Sequence, residues 1–357
     1  MTTVVETSPA TLRERCAELF DDELSPVLRR IGQHRTGAGP DEEDRALRAG
    51  VWAALAELGA LAPAAGRTAD DRVALADVAE LMGAALYPSP YAGTVTAAAV
   101  AGPGVLAGIT AGERTFAVAW HTEGTADPAT PGPEWTHGPL SGERRFVAFA
   151  SEVDELVVPV AAGVAFVPVD QPGVRFRRHD ELGRGDLHAV TLGSAHARFV
   201  PADPAVLLAG ARVRHAAYLA GLARGALELA VARLKDRTAF GGPLAKQQVL
   251  AHRVAALASR AAAVLAFARA TARRPADDPG LPLAAAQALL LAAELARESA
   301  AESVHLHGAA GMTERHDVSL YYRRAAVDVP ALGTPRQLRR HAGALLAAAH
   351  RRNPSHR

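Results

Sequence analysis

The spacing of hydrophobic residues divides the chain into three regions. In the first, up to about residue 110, hydrophobic residues recur every three or four positions, as they do on one face of an α-helix. The third of these segments is followed by Pro88 and Pro90, and proline cannot continue a helix. The predicted helices are Thr11 to Ile31, Glu42 to Leu61, Val73 to Leu86 and Ala92 to Ala101.

The middle region has a different period. Phe116, Val118 and Trp120 alternate with smaller residues, and short β-branched runs separated by Gly and Pro turns follow. This spacing predicts a small sheet domain or barrel. The segment Glu123 to Gly138 is rich in Gly, Pro and Thr, and a loop is predicted there. The predicted strands are Arg145 to Phe149, Glu155 to Val160, Val164 to Val169, Val174 to Arg177 and His188 to Leu192.

From Asp203 onward the pattern is helical again. Hydrophobic stripes lie at 219–234, 250–265 and 283–306, and a last helix is predicted at 338–349. Long helices joined by short turns predict an antiparallel bundle, and the core of such a bundle often extends into an oligomer. The predicted fold class is therefore α+β, with a helical domain (1–111), a β domain (112–202) and a C-terminal helical bundle (203–357).

Composition narrows the class of protein. The 39 Lys and Arg residues nearly balance the 38 Asp and Glu residues, which argues against nucleic acid or an anionic membrane as the main partner. Cys16 is the single cysteine, so no internal disulfide forms and a reducing compartment is expected. The N-terminus shows no signal-peptide pattern, and the apolar run Leu281 to Ala296 is too short and too polar to span a bilayer. These features predict a soluble cytoplasmic protein.

The segment Lys235 to Gln248 carries the strongest functional pattern. Arg237 offers a planar set of donors that fits phosphate oxygens, and Phe240 could lie against a flat ring. A helix-turn-helix corner with a solvated arginine is the alternative. The segment closely resembles the R-x-x-F-G-x-P-L-x-x-x-Q signature of the acyl-CoA dehydrogenase family. The resemblance implies that Arg237, Phe240 and Gln248 contact FAD, partly across a subunit boundary.

Two later segments extend the resemblance. His305 to Thr313 is similar to the family's Q-L-H-G-G-x-G-Y-T element, with His305 in place of glutamine, and Gly333-Thr334 is similar to the start of E-G-T-x-E-x-Q. A plain glycine cap at a helix end is the alternative for the first segment. The resemblance implies FAD contacts at His305, Gly308, Gly311 and Thr334.

The middle region also resembles the family. Trp120 to Glu123 is similar to the strand end L-T-E-P, which places Thr122 at the flavin. Ser141 to Ala148 is similar to G-x-K-x-W-I-T, with Phe146 in place of tryptophan. Ala148 replaces the threonine that would donate to flavin N5. The order of helical domain, β domain and four-helix bundle is the one that the family shares.

The resemblance fails at the catalytic base. The glutamate of E-G-T is Leu332 here, and the alternative base position on the first bundle helix is Ala211. Oxidation of an acyl thioester requires removal of a proton from the α-carbon, and a positioned general base contributes about 10²–10⁴-fold. Neither leucine nor alanine accepts a proton. His215 and His121 are the weak candidates for a relocated base.

Three hypotheses remain open. The chain is an FAD-dependent dehydrogenase of an acyl-CoA or other acyl thioester, or the non-catalytic, FAD-contacting subunit of an α2β2 acyl-CoA dehydrogenase, or a flavin-dependent enzyme of secondary metabolism. All three predict a homo- or hetero-oligomer, a dimer or a tetramer, with a family member. No metal site is predicted, because Glu302-Ser303-Val304-His305 has its only matching E-x-x-H in the predicted loop at Glu134 to His137.

Overall fold

The first region of the computed structural model consists of short helices. The structure describes residues 9–20, 42–122, 127–179, 186–313 and 316–352. Residues 21–31 of the first predicted helix lie outside this part. The helix after Gly102 was not predicted, because the glycines and proline at 102–104 are typical of a helix end; proline is, however, also favoured in the first turn of a helix. The helices are α1 (Pro9–Phe20), α2 (Glu42–Glu57), α3 (Ala69–Ala85), α4 (Tyr91–Ala98) and α5 (Pro103–Thr110).

The middle region forms two four-stranded sheets. Their strand orders are β1-β4-β5-β8 and β2-β3-β7-β6, and every pair except the parallel β1–β4 pair is antiparallel. Residues 127–138 of the predicted loop contain neither helix nor strand. The strands are β1 (Phe116–Val118), β2 (His121–Thr122), β3 (Leu140–Ala148), β4 (Glu155–Val160), β5 (Gly163–Pro168), β6 (Val174–Arg178), β7 (Leu187–Ala195) and β8 (Arg198–Pro201).

The C-terminal region is a bundle of long helices, which confirms the predicted fold class. α6 packs along α8 and also along α3, so the two helical regions share one core. Glycine allows the α3–α6 crossing, because a Cβ on Gly83 would lie 1.9 Å from the carbonyl oxygen of Tyr218. The helices are α6 (Pro204–Asp236), α7 (Gln248–Ala272), α8 (Leu281–His307), α9 (Val318–Asp328) and α10 (Pro335–Arg352).

The surface of α7 is unusually apolar. Among the described helices, it is the one with the length and composition to cross a membrane, and 22% of its most apolar window is buried. A single helix of this kind is weak evidence for a membrane protein, because helices of soluble proteins meet the same criterion.

Candidate functional site

The loop between α9 and α10 contains Leu332, the first of the two positions where a catalytic base is expected. Hydrogen bonds from β2 and from α6 hold this loop. His121 on β2 donates from Nε2 to the carbonyl of Ala331 (2.9 Å), and Arg212 on α6 donates from Nε to the carbonyl of Leu332 (3.1 Å). Gly333 follows with a φ of 120°, a conformation that L side chains rarely adopt. The fold therefore brings Leu332 beside β2 and α6, although the two elements are far apart in sequence.

Both expected base positions lie in apolar surroundings. Leu332 is 8% exposed and Ala211 is 7% exposed, and both belong to the core shared by the bundle and α3. The next residue after Ala211 is Arg212, a buried cation. The structure therefore places the guanidinium of Arg212 against the loop that contains Leu332.

Arg212 also determines the protonation of His341 on α10. Its Nη1 lies 2.6 Å from Nδ1 of His341, and burial lowers the pKa of Arg212 to about 10, so it is protonated at neutral pH. Because a guanidinium has no acceptor, Nδ1 of His341 must accept and Nε2 must carry the proton. Burial, and secondly the charge of Arg212, lower the pKa of His341. The imidazole is therefore neutral, with its only lone pair already occupied.

A cavity of about 220 Å³ adjoins these groups; we call it the β2–α6 cavity. Its walls come from β2, from residues 128–132, from the first turns of α6, and from Arg212 and His341. In the described part of its lining, Asp203 is the one carboxylate, and it accepts from the backbone N–H of Ala205 (2.8 Å) as the N-cap of α6. The lining therefore offers no carboxylate that is placed as a base next to the loop.

The strand pair β2–β3 presents an aromatic ring beside His121. Phe146 has a φ of 55°, is 43% exposed, and lies within a register shift of β3, between Arg144 and Val147. Its ring stacks on His179 at a centroid distance of 5.1 Å and meets His121 edge-on at 6.0 Å. Positive φ is rare for a bulky residue, and residues with such strained backbone cluster at active sites and ligand-binding sites. The exposed face of this ring fits a flat partner such as a flavin.

A second group of predicted residues lies at one end of the bundle. β9 (Thr238–Ala239) and β10 (Gly242–Pro243) form a tight hairpin, whose tip holds Phe240 with a φ of 53° and 90% of its surface exposed. The side chains of Arg237 and Gln248 are exposed and bond to none of the described residues. All three are thus available to a ligand or a neighbouring subunit.

The end of α8 lies at the same end of the bundle, because Leu234, Val254 and Leu306 pack in one cluster. Gly308 follows α8 with φ 64° and ψ −145°, a combination open only to glycine. A Cβ on Gly311 would lie 2.7 Å from the carbonyl oxygen of Val304. Gly311 is therefore required by the packing of the chain itself, whereas a Cβ on Gly308 would meet nothing within 4 Å. Open backbone of this kind is what the close approach of a pyrophosphate requires, so Gly308 fits FAD.

Thr334 and His305 lie on different helix ends and differ in exposure. Thr334 begins α10, and its N–H and hydroxyl both donate to Oε1 of Gln337 (2.7 and 2.8 Å). His305 is exposed at the end of α8. Of the predicted contacts, Thr122 lines the β2–α6 cavity, Phe146 lies on β3 and Thr334 precedes α10, whereas the others lie at the bundle end.

His215 lies outside the lining of the β2–α6 cavity. Its Nε2 donates to the carbonyl of Asp328 (2.7 Å), and its ring stacks on Tyr218. Asp328 in turn accepts from Tyr218 (2.7 Å) and from Arg324 (3.2 Å). The Arg324–Asp328 pair was not predicted, although opposite charges four residues apart are a recognisable helix pattern. The contact of Arg212 with the Leu332 loop was not predicted either.

Known proteins resemble this chain in sequence. Residues 205–345 match the family model described as acyl-CoA dehydrogenase, C-terminal domain. The chain is 31% identical over 295 residues to acyl-CoA dehydrogenase FadE34 of Mycobacterium tuberculosis, an alignment that covers 77% of this chain and 39% of that protein. It is 37% identical over 140 residues to acyl-CoA dehydrogenase IpdE2 of Mycolicibacterium smegmatis, with 39% and 42% covered. The chain thus spans about two fifths of these curated relatives.

Solved structures match along almost the whole chain. The Tcur3481-Tcur3483 steroid ACAD variant has a TM-score of 0.82 and 25% identity, with 96% of this chain and 98% of that chain covered. The chain belongs to the acyl-CoA dehydrogenase family. The ChsE4-ChsE5 complex from Mycobacterium tuberculosis has a TM-score of 0.79 at 24% identity, with 97% and 99% covered. This family of flavoprotein oxidoreductases was predicted from the sequence, and the prediction is confirmed.

Proposed function

We propose that this chain is a subunit of an FAD-dependent acyl-CoA dehydrogenase that helps to hold FAD but supplies no catalytic base. The observation that carries the proposal is the pairing at the base position. Leu332 stands where the carboxylate is expected, and the polar group beside it is the buried guanidinium of Arg212. A protonated guanidinium donates hydrogen bonds and cannot accept a proton.

The residues that would hold FAD support the same proposal. FAD, when bound, supplies the hydride acceptor for oxidation of an acyl thioester. Thr122 and Phe146 would face its ring system. Arg237, Phe240 and Gln248 project from the other end of the bundle, where they would contact FAD bound mainly by a neighbouring subunit. This division of contacts requires an oligomer, either a dimer or a tetramer.

Two structural relatives support a partner of a different sequence. Two proteins are named in each of the Tcur3481-Tcur3483 and ChsE4-ChsE5 structures. We propose that this chain likewise pairs with a second family member, which contributes the base. Because the first structure is named as a steroid ACAD, a steroid-derived acyl-CoA is the substrate class to test first.

A self-sufficient dehydrogenase is the second candidate. His121 favours it, because this residue lies directly beside the loop of Leu332. In this arrangement, however, Nε2 of His121 donates to the carbonyl of Ala331, so that atom carries a proton and does not accept one. His121→Gln keeps a donor at this position and would abolish substrate oxidation only if the imidazole were the base.

The flavin content of the chain, alone and with a partner, tests the proposal. The chain should be produced alone and together with a family member that has the base glutamate. We expect stable FAD binding to depend on the partner, and Arg237→Gln in this chain to lower the flavin content of the complex. Lys235→Gln removes the same charge from an exposed site two residues away and should have little effect. One FAD per chain in the isolated protein, together with oxidation of acyl-CoA, would contradict the proposal.

A further inference from the structure

A serine after β3 and a histidine on β7 form a pair that the proposed function does not use. Ser151 is exposed in the turn after β3, and its Oγ lies 3.1 Å from Nε2 of His188. Nδ1 of the same ring lies 3.2 Å from the carbonyl oxygen of Asp186. Because a carbonyl only accepts, Nδ1 carries the proton and Nε2 accepts from the serine hydroxyl. A histidine in this state can activate a serine for nucleophilic attack.

The surroundings of His188 suit a general base. The side chain is 6% exposed, and burial lowers its pKa, so the imidazole is neutral at neutral pH. The hydrogen bond to the Asp186 carbonyl and the charge of the Asp186 carboxylate raise the pKa, whereas the charges of Arg178 and His179 lower it. The Asp186 carboxylate would therefore stabilise the imidazolium that forms when His188 takes up a proton.

The turn that contains Ser151 has a strained backbone. Phe149 has a φ of 58° although it is buried, and its carbonyl oxygen accepts from the N–H of Glu152 (2.9 Å), which closes the turn around Ser151. The N–H of Phe149 donates to the carbonyl oxygen of Asp186 (2.7 Å), the same oxygen that orients His188. One carbonyl group thus fixes both the turn and the imidazole. Strained backbone of this kind clusters at active sites.

We propose that Ser151 is a nucleophile that takes up small activated acyl groups, with His188 as its general base. The reactant is an ester or a thioester, which reaches the exposed hydroxyl from solvent. Oγ of Ser151 bonds to the carbonyl carbon while the bond from this carbon to the leaving oxygen or sulfur breaks. Nε2 of His188 takes the hydroxyl proton and passes it to the leaving group. The products are an O-acyl serine and an alcohol or a thiol, with no change of oxidation state.

This proposal goes beyond the proposed function. Ser151 is not among the residues that would hold FAD, and the acylation step requires neither a flavin nor a partner subunit.

Acetylation of the full chain by p-nitrophenyl acetate tests the proposal, with the modified residues and their rates determined by mass spectrometry of peptides. We expect Ser151 to be acetylated and His188→Gln to slow this reaction by about 100-fold or more, because a positioned general base contributes about 10²–10⁴-fold. Ser259, an exposed serine on α7, is the matched control within the same chain and should react about 100-fold more slowly than Ser151. The rate at Ser151 should rise with pH and level off around a pKa below the ordinary histidine value of 6.5.

Three results would overturn the proposal. They are acetylation of Ser151 no faster than that of Ser259, an unchanged rate in His188→Gln, and a rate at Ser151 that does not level off with pH. The first result would mean that the hydrogen bond to His188 only holds the turn. Should His188→Gln fail to fold, urea unfolding of the unsubstituted chain separates the two side chains, and a preference for Ser151 that persists in urea would refute the role of His188. Because no measurement depends on flavin or on a partner, failure here is distinguishable from failure of the proposed function.

Discussion

Replacing Leu332 with glutamate should create an ion pair with Arg212 rather than restore a catalytic base. An ionised carboxylate buried without a partner costs several kcal/mol. Here Nε of Arg212 already lies 3.1 Å from the carbonyl oxygen of Leu332, so a glutamate at this position can bring its carboxylate within about 4 Å of the guanidinium. The new charge would therefore meet an existing buried charge of opposite sign.

The expected magnitude follows from this separation. Unit charges 4 Å apart attract by about 4 kcal/mol at an effective dielectric constant of about 20. This attraction equals about 3 pKa units and opposes the cost of burying the carboxylate. We therefore expect Leu332→Glu alone to change the free energy of unfolding by less than about 2 kcal/mol. In the Arg212→Gln background, the same substitution should cost about 3–5 kcal/mol, as for a buried charge without its partner.

Urea unfolding of the four proteins in a double-mutant cycle measures this coupling. Attraction to Arg212 should hold the pKa of the Leu332→Glu carboxyl well below its value in the Arg212→Gln background. Its stabilising contribution is therefore present above the unfolded pKa of about 4.3 and is lost as the pH falls below it. Additive free energies, or a coupling that does not change at acidic pH, would show that the two groups do not meet and would refute the reasoning.

The remaining predictions concern other parts of the chain. Asp328→Ala should lower the free energy of unfolding, measured in urea, by about 3–5 kcal/mol, because it removes one partner of the buried Arg324–Asp328 pair. Replacing both Arg324 and Asp328 with leucine should lower it by less than the sum of the two single leucine replacements. Phe240→Ala should leave the Tm of the isolated chain unchanged, since the ring is 90% exposed, but should reduce the flavin content of the complex; a lower Tm would mean that the ring packs within its own chain. Burial raises the pKa of the Cys16 thiol to about 11, so the folded chain should resist alkylation at mildly alkaline pH until urea unfolds it; rapid modification of the native protein would argue against this burial.

Much of the architecture was predictable because it depends on local patterns. The change of hydrophobic period from helix to strand and back predicted the three regions and most of the helices and strands. A glycine cap at the end of α8 was also considered from the sequence, whereas the β9–β10 hairpin at Phe240 was not predicted. The boundaries proposed at residues 111 and 202 stay predictions.

The environment of the base position could not be predicted in the same way. Arg212 contacts the carbonyl of Leu332, 120 residues later, and His341, 129 residues later. No local pattern links residues so far apart, and only the fold, in which α6 and α10 both pack against α8, brings them together. In sequence, Arg212 is one arginine in a largely apolar helix. Its burial appears only in the folded chain.

The absence of a base in this chain is tested most directly by anaerobic addition of acyl-CoA to the chain in the presence of FAD, monitored by visible absorption. We expect that the flavin band does not bleach with this chain alone. In complex with a partner that has the base glutamate, it should bleach, and the bleaching should be lost when that glutamate is changed to glutamine. Bleaching by the isolated chain would contradict the account and show that this chain contains a base of its own.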